Sequence, residues 1–292
     1  SGGDFRERPR NDVGLLGADF RVENGRYRIS KIYRGDIWTS TTRAPLAQPG
    51  MAAAEGEYLL AIDGKELRSS GNIYAAFEGT LGKQVTLRVG PRPEMAGSRE
   101  IGVTPVASEF ELRKSDWVLA NRRKVDELSR GRVAYVYLPD TGRTSGARSF
   151  AQEWFAQAGR EAAIIDARHN GGGQLATDVV EQLLRGRMSV TSPRHGADLD
   201  QPQGAIPGPK VMIVNGQAVS GGDLLPWYFR RARAGILVGT RTNGAVIGLW
   251  EATPSLLDGG ALISLRTSRW SRTPSWCGKG TIRSWRKLSR SC

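Results

Sequence analysis

Residues 162–173 read AAIIDARHNGGG, an apolar run that passes into polar residues and then into three consecutive glycines. A short apolar run bounded by glycines is typical of a buried strand that ends in a loop. Further strands are predicted at VAYVYLPD 133–140 and VMIVNG 211–216, and helices at GARSFAQEWFAQAG 146–159, ATDVVEQLLRG 176–186 and GGDLLPWYFRRARAG 221–235. Strands that alternate with helices at this spacing predict an α/β core with a mostly parallel sheet.

The N-terminal part of the chain, residues 12 to about 92, follows a different pattern. Short apolar runs alternate with turn residues, and the pairs Asn24-Gly25 and Asp63-Gly64 are typical of tight β-hairpins. Residues 70–78 (SGNIYAAFE) suit a short helix opened by a Ser or Asn cap. Several strands, one short helix and a GLLG loop at residues 14–17 favour a small β-rich peptide-recognition module over an enzyme core.

A helix is predicted between these two regions. Residues 115–128 (SDWVLANRRKVDEL) have the spacing of an amphipathic helix, with one apolar stripe made of Trp117, Val118, Val125 and Leu128. We interpret the basic run at residues 122–124 as a solvated face of that helix.

Composition and charge exclude several classes of protein. The chain has 292 residues, 39% of them hydrophobic. With the seven Tyr left out and the 37 Gly counted, the apolar share is about 49%, which is ordinary for a globular protein. No apolar run approaches the roughly 20 residues that span a bilayer. Its net charge of +13 would suggest a nucleic-acid partner. However, residues 265–292 hold eight basic residues and no acidic one, so the rest of the chain is only mildly basic. We therefore predict neither a nucleic-acid nor a membrane partner.

The first candidate for chemistry is the loop after the strand at 162–166. Asp166, Arg168 and Asn170 lead into Gly171–Gly173, and glycines here would leave backbone N–H groups uncovered as a cradle for an anion or oxyanion. The alternative is a flexible connection without chemical function. Neither a phosphate loop nor a dinucleotide-binding fingerprint is present.

The second candidate is Ser220, in the segment NGQAVSGGD at residues 215–223. It lies between a predicted strand and a predicted helix, where the helix N-terminus favours developing negative charge. From the pattern alone, Ser220 is either a helix cap or a nucleophile. A serine nucleophile needs a base, and nothing in the pattern orients His169 or His195 toward it. No cluster has the spacing of metal ligands, so we predict no metal or other cofactor.

Taken together, these segments resemble the tricorn protease family, relatives of the tail-specific (C-terminal processing) serine peptidases. Residues 14–36 (GLLGADFRVENGRYRISKIYRGD) and 55–67 (EGEYLLAIDGKEL) are similar to that family's PDZ domain. Residues 164–173 (IIDARHNGGG) are similar to a strand and loop of its crotonase-like catalytic core, and NGQAVSGGDLLPWYFRR at 215–231 with LVGTRTNGAVIG at 237–248 to its nucleophile segment and substrate-pairing strand. The resemblance implies a remnant of an upstream segment at 1–11, a PDZ-like domain at 12–95 and a catalytic core at 96–262.

By the same resemblance, Ser220 would be the nucleophile, and its oxyanion hole would use Gly221 with a glycine of the loop, Gly171 or Gly173. Gly171, Gly172 and Gly173, together with Gly248, Leu249 and Trp250, would bind the substrate backbone. The reaction would be cofactor-free hydrolysis of short peptides through an acyl-enzyme. The resemblance also implies a homo-oligomer and a cytoplasmic location.

Two departures from the family pattern concern its other catalytic groups. The family's general base is a histidine shortly upstream of a GGD stretch, and because this chain opens with Ser1-Gly2-Gly3-Asp4, we expect the base to precede Ser1. The family also uses a glutamate near its C-terminus, and nothing after Gly260 matches that segment. We interpret residues 263–292, which include Cys277 and Cys292, as an atypical basic tail, possibly out of frame. The chain alone is then expected to be inactive or weakly active. The alternative is a non-catalytic, PDZ-containing peptide-binding module.

Overall fold

The computed structural model describes residues 12–35, 44–48, 50–196 and 198–246. The chain forms two compact units. One is Phe5–Ala120, and the other is Asn121–Cys292 together with Ser1–Asp4. Within the described part of the chain, no helix is both long enough and apolar enough to cross a membrane.

An antiparallel sheet forms the first unit. Its strands are β1 (Ala18–Glu23), β2 (Arg26–Ile32), β3 (Tyr58–Ile62), β4 (Lys65–Glu66), β5 (Val85–Gly90) and β6 (Arg99–Val103). The order is β1-β2-β3-β5-β6, and β4 pairs with β3. A bridge between Leu15 and Val106 joins the residues before β1 to those after β6. The core of this unit is mostly aliphatic, with Leu59, Leu87 and Val89 fully buried.

The two predicted hairpin turns are confirmed. Asn24 and Gly25 connect β1 to β2 with φ of 53° and 72°, and Asp63 and Gly64 connect β3 to β4 with φ of 46° and 75°. Positive φ at both central residues is the conformation that Asn-Gly and Asp-Gly pairs favour.

The predicted short helix is also confirmed. It is a 3-10 helix, Ile73–Phe77, and the Asn72 side chain accepts a hydrogen bond from the Tyr74 N–H at its start. A second 3-10 helix spans Pro45–Ala47.

The connecting helix α1 (Phe110–Ser129) begins five residues earlier than predicted. Its buried residue is Leu112, which lies outside the predicted segment, whereas Leu128 of the predicted stripe is 68% exposed. The prediction of a solvated basic face is wrong for Arg122, which forms an ion pair with Glu153. Burial lowers the pKa of Arg122.

A parallel sheet forms the second unit, as predicted. Its strands are β7 (Val133–Tyr137), β8 (Ala162–Asp166), β11 (Lys210–Val214) and β12 (Ile236–Gly239), in the order β12-β11-β8-β7. The helices are α2 (Ser145–Phe155), α3 (Ala176–Leu184) and α4 (Gly221–Arg231). A short hairpin, β9 (Ser189–Thr191) with β10 (Leu199–Gln201), was not predicted. Its strands have three residues each, and apart from Asp200 and Gln201 these residues are exposed, so they carry little apolar signal.

The core of the second unit lies between the sheet and its helices. Trp154 of α2 is fully buried, stacks on Phe150 and donates its indole N–H to the Gly204 carbonyl at 2.7 Å. Because β7, β8 and β11 are parallel, the loops that follow them open at the same edge of the sheet, where ligands of α/β proteins usually bind. The candidate residues from the sequence lie in these loops.

Candidate active site

Three loops are joined by backbone hydrogen bonds at this edge of the sheet. In the loop after β7, the Thr141 N–H donates to the carbonyl of Gly172, which lies in the loop after β8, at 2.8 Å. The loop after β11 donates from the Val219 N–H to the Asn170 carbonyl at 3.0 Å. The glycine loop is therefore fixed on both sides, which argues against a loose connection.

Ser220 lies at the sharp turn between β11 and α4. Its backbone has φ 55° and ψ −116°, a region that residues other than glycine rarely adopt, at a cost of about 1–3 kcal/mol. It takes the N-cap position of α4, yet its side chain makes no capping hydrogen bond. A strained strand-to-helix turn that exposes a serine hydroxyl is the arrangement of a nucleophile elbow. This geometry favours the nucleophile over the helix cap.

Close backbone contacts explain why glycines flank Ser220. Gly172 has φ 91°, and a Cβ there would lie 2.8 Å from the Ser220 Cβ and 2.9 Å from the Val219 carbonyl oxygen. A Cβ on Gly221 would lie 2.6 Å from the Gly173 nitrogen, and one on Gly222 would lie 2.6 Å from the Asn170 carbonyl oxygen. The glycine loop and the N-terminus of α4 can pack this closely only because both lack side chains at these positions.

The three N–H groups of the glycine loop differ in whether they have a hydrogen-bond acceptor. Gly171 donates to the Pro139 carbonyl at 2.9 Å, and Gly172 donates to the Asn170 side-chain oxygen at 2.9 Å. Within the described residues, the N–H groups of Gly173 and Gly221 have no acceptor. They lie close together, and the second is at the positive end of the α4 dipole. Of the two glycines considered for the oxyanion hole, Gly173 has an available donor and Gly171 does not.

Asn170 organises this arrangement and is fully buried. Its side-chain nitrogen donates to the Leu138 carbonyl at 2.9 Å, while its side-chain oxygen accepts from Gly172. Through these bonds and its own carbonyl, Asn170 connects all three loops. An asparagine directly before the glycines was the available signal, but the sequence alone did not assign it this role.

Residues 243–245 are joined to the Ser220 turn and to α4 by hydrogen bonds. Asn243 donates to the Ala218 carbonyl at 3.0 Å, Ser220 donates its N–H to the Ala245 carbonyl at 3.1 Å, and Gly244 donates to the buried Asp223 carboxylate at 2.7 Å. Sequence reasoning missed Asp223, whose signal was a carboxylate three residues after the candidate serine. Gly248, Leu249 and Trp250, predicted to bind substrate, lie outside the described residues.

The two histidines lie in exposed loops. His169 has φ 61°, donates its backbone N–H to the Asn215 side-chain oxygen at 3.0 Å, and holds its ring Nε2 3.3 Å from the Asn215 nitrogen. His195 lies between β9 and β10.

Asp166, the first polar residue of the glycine-loop motif, is wholly buried at the end of β8. It accepts a hydrogen bond from the Tyr135 hydroxyl at 2.7 Å and pairs with Arg168. Burial, together with the neighbouring Asp166 carboxylate, raises the pKa of Tyr135. These contacts make Asp166 a structural anchor. Among the described residues, no group of three or more His, Cys, Asp or Glu could hold a metal ion.

Comparison with known proteins adds family evidence to this geometry. Residues 14–108 match the tricorn protease PDZ domain, and residues 132–280 match peptidase family S41. The tricorn protease of Thermoplasma volcanium is 30% identical over 92% of this chain and 26% of its own length. A tricorn protease homolog of Saccharolobus solfataricus is 34% identical over 81% of this chain and 22% of its own length.

A solved structure shows the same fold. A crystal structure of the tricorn protease superposes with a TM-score of 0.76 at 28% sequence identity, over 86% of this chain and 24% of the other. The chain thus spans about a quarter of the length of the relatives it matches.

Proposed function

The chain belongs to peptidase family S41, within the tricorn proteases, and on that premise we propose that Ser220 is the nucleophile of a peptide-hydrolysing site. The observation that carries the proposal is the strained turn at Ser220 beside the N–H groups of Gly173 and Gly221, which have no acceptor among the described residues. Strain of this kind persists where the surrounding structure holds it in place, and such positions cluster at active sites.

The proposed chemistry is acyl transfer. The Ser220 Oγ attacks the carbonyl carbon of the scissile peptide bond and gives up its proton to a general base. The N–H groups of Gly173 and Gly221 bind the resulting oxyanion, and donors held in place before the reaction need no reorganisation. The amine leaves with the proton, and water then hydrolyses the acyl-enzyme.

Peptides are the proposed substrates. An extended substrate would pair with the segment after Val246, where Gly248, Leu249 and Trp250 follow, as in β-augmentation. The described residues that lead toward it, Asn243 and Gly244, are attached beside the Ser220 turn by their hydrogen bonds to Ala218 and Asp223. Gly171 and Gly172 would permit close approach of the substrate backbone because they have no side chains. Their own N–H groups are already donated within the protein.

The general base and the orienting glutamate are proposed to come from outside the described residues. The family resemblance assigns the base to a segment before the PDZ domain, and we therefore propose that the 292-residue chain alone hydrolyses peptides slowly. Loss of a triad member typically removes several orders of magnitude of rate. The domain boundaries at residues 95 and 262, the altered reading frame of the tail, the homo-oligomer and the cytoplasmic location are likewise proposals.

Peptide hydrolysis by the complete gene product that contains this chain tests the proposal. With fluorogenic short peptides, we expect Ser220→Ala to lower kcat by at least about 10³-fold with little change in KM. Ser189→Ala, which removes an exposed hydroxyl on β9 in the same unit, is the matched control and should retain activity. Peptide binding without turnover in the complete product, unaffected by Ser220→Ala, would instead support the non-catalytic binding module.

A further inference from the structure

The GLLG loop of the first unit, residues 14–17, has a glycine at each end and leads into a strand, and its backbone N–H groups are a candidate carboxylate site. Such sites work by pointing several N–H groups at the ligand, and they capture peptide C-termini in domains that bind peptides along a strand edge. Strand β1 follows the loop directly. Whether the loop can take a carboxylate therefore depends on which of its N–H groups have acceptors.

Three of the four loop N–H groups already have acceptors. Gly14 donates to the Phe77 carbonyl at 3.1 Å and Leu15 to the Val106 carbonyl at 2.8 Å. Gly17 donates to the carboxylate of Glu109, with 2.6 Å between its nitrogen and Oε1. Within the described residues, only the Leu16 N–H has none.

Glu109 is itself held from its other side. Its side chain is 8% exposed, and Oε2 accepts from the Arg113 Nε at 2.7 Å. Arg113 is fixed in turn, since it donates to Asp19 at 2.6 Å and to the Tyr33 hydroxyl at 2.8 Å and lies 4.4 Å from the centre of the Tyr33 ring. A buried carboxylate between a backbone N–H and a guanidinium has the contacts that a bound peptide terminus would have.

We propose that the GLLG loop is a carboxylate site whose ligand is this chain's own Glu109. The first unit then does not bind peptide C-termini at this loop while Glu109 occupies it. The site takes an external carboxylate, such as a peptide terminus, only when the Glu109 side chain is removed. This inference does not depend on whether Ser220 is catalytic.

Binding of paired peptides to the full 292-residue chain tests the proposal. Each N-terminally labelled heptapeptide with an apolar last residue is prepared with a free C-terminal carboxylate and with an amide. By fluorescence anisotropy, we expect the wild-type chain to show less than a twofold difference between the two forms. We expect Glu109→Ala to bind the free acid at least tenfold more tightly than the amide. The reason is that the Gly17 N–H and the Arg113 Nε, which both donate to Glu109 in the wild type, then have no acceptor and can donate to the peptide carboxylate.

Glu109→Gln is the matched control. Its side-chain oxygen can still accept from Gly17, so it should gain no preference for the free acid. Circular dichroism establishes that each variant is folded. A folded Glu109→Ala variant with no preference for the free acid would overturn the proposal.

A second measurement needs no variant. In the wild-type chain, the amide proton of Gly17 should exchange slowly with solvent. The chemical shift of its NMR resonance should not change when the free-acid peptide is added in excess. A saturable shift of that resonance with the free acid, absent with the amide, would show an open loop and overturn the proposal.

Discussion

Ser220 has a backbone conformation that usually requires glycine, and the free energy of unfolding of variants at this position should reflect this. At an ordinary structured position, a protein with Gly is less stable than the same protein with Ala by about 0.5–1 kcal/mol. At φ 55° and ψ −116°, relief of strain should offset that cost, so we expect Ser220→Gly to be at least as stable as Ser220→Ala. Urea unfolding of both variants measures the difference, and an advantage of about 1 kcal/mol for Ser220→Ala would show that the turn is not strained.

The glycines at 171 and 172 should differ sharply in their tolerance of a side chain. A Cβ on Gly172 would collide with the Ser220 turn at positive φ, whereas one on Gly171 would meet only the Pro139 carbonyl oxygen, at 3.9 Å. We expect Gly172→Ala to lower the free energy of unfolding by about 3 kcal/mol or more, and Gly171→Ala by less than about 1 kcal/mol. Urea unfolding checks both values. Equal costs at the two positions would contradict the packing described.

At the scale of elements, β1, β2 and α1 meet in a charged cluster that titrates in acid. Partial burial alone would raise the pKa of Asp19, but hydrogen bonds from Arg113 and Tyr33 outweigh it and hold that pKa below its usual value. A lowered carboxyl pKa adds stability that is present above the unfolded value, about 3.9, and is lost as the pH falls through the folded value. The first unit should therefore lose stability below about pH 4.

Asp19→Asn should reduce this acid sensitivity. We expect its loss of stability between pH 5 and about pH 3 to be smaller than that of the wild type by at most about 1 kcal/mol, because the Asp19 side chain is 40% exposed. Urea unfolding at the two pH values gives the difference. Asp12→Asn, at an exposed carboxylate, is the control. Identical losses for Asp19→Asn and the wild type would rule out the contribution of Asp19.

Local chemistry made some of these elements predictable from sequence. The turns at Asn24-Gly25 and Asp63-Gly64 were predictable because their residues prefer positive φ, and the parallel strands because their apolar runs alternate with helices. The first turn of α1 was missed because it owes its place to tertiary contacts, the burial of Leu112 and the hydrogen bond that the Gly17 N–H donates to the Glu109 side chain.

The candidate site was predictable only in part. The glycine loop and Ser220 were visible as motifs, but the choice between Gly171 and Gly173 depends on which N–H group is donated elsewhere. The contacts of Asn170 and Asp223 join segments far apart in sequence, so no local pattern carries them.

At the scale of the whole molecule, the chain combines two units with different tasks in the proposed account. The first unit has the tricorn-type PDZ match and a carboxylate site that we propose is filled from within. The second unit holds the Ser220 turn, the glycine loop and Asn170 on one sheet. On this account, selection of the substrate depends on the region around Ser220 rather than on capture of a C-terminus at residues 14–17.

The central claim, that Ser220 is the nucleophile, is tested most directly by mapping a covalent adduct. The complete gene product containing this chain is treated with a fluorophosphonate probe, digested, and analysed by mass spectrometry. The account predicts a single major adduct on Ser220, absent from Ser220→Ala. A major adduct on another serine, or peptide turnover that survives Ser220→Ala, would contradict it.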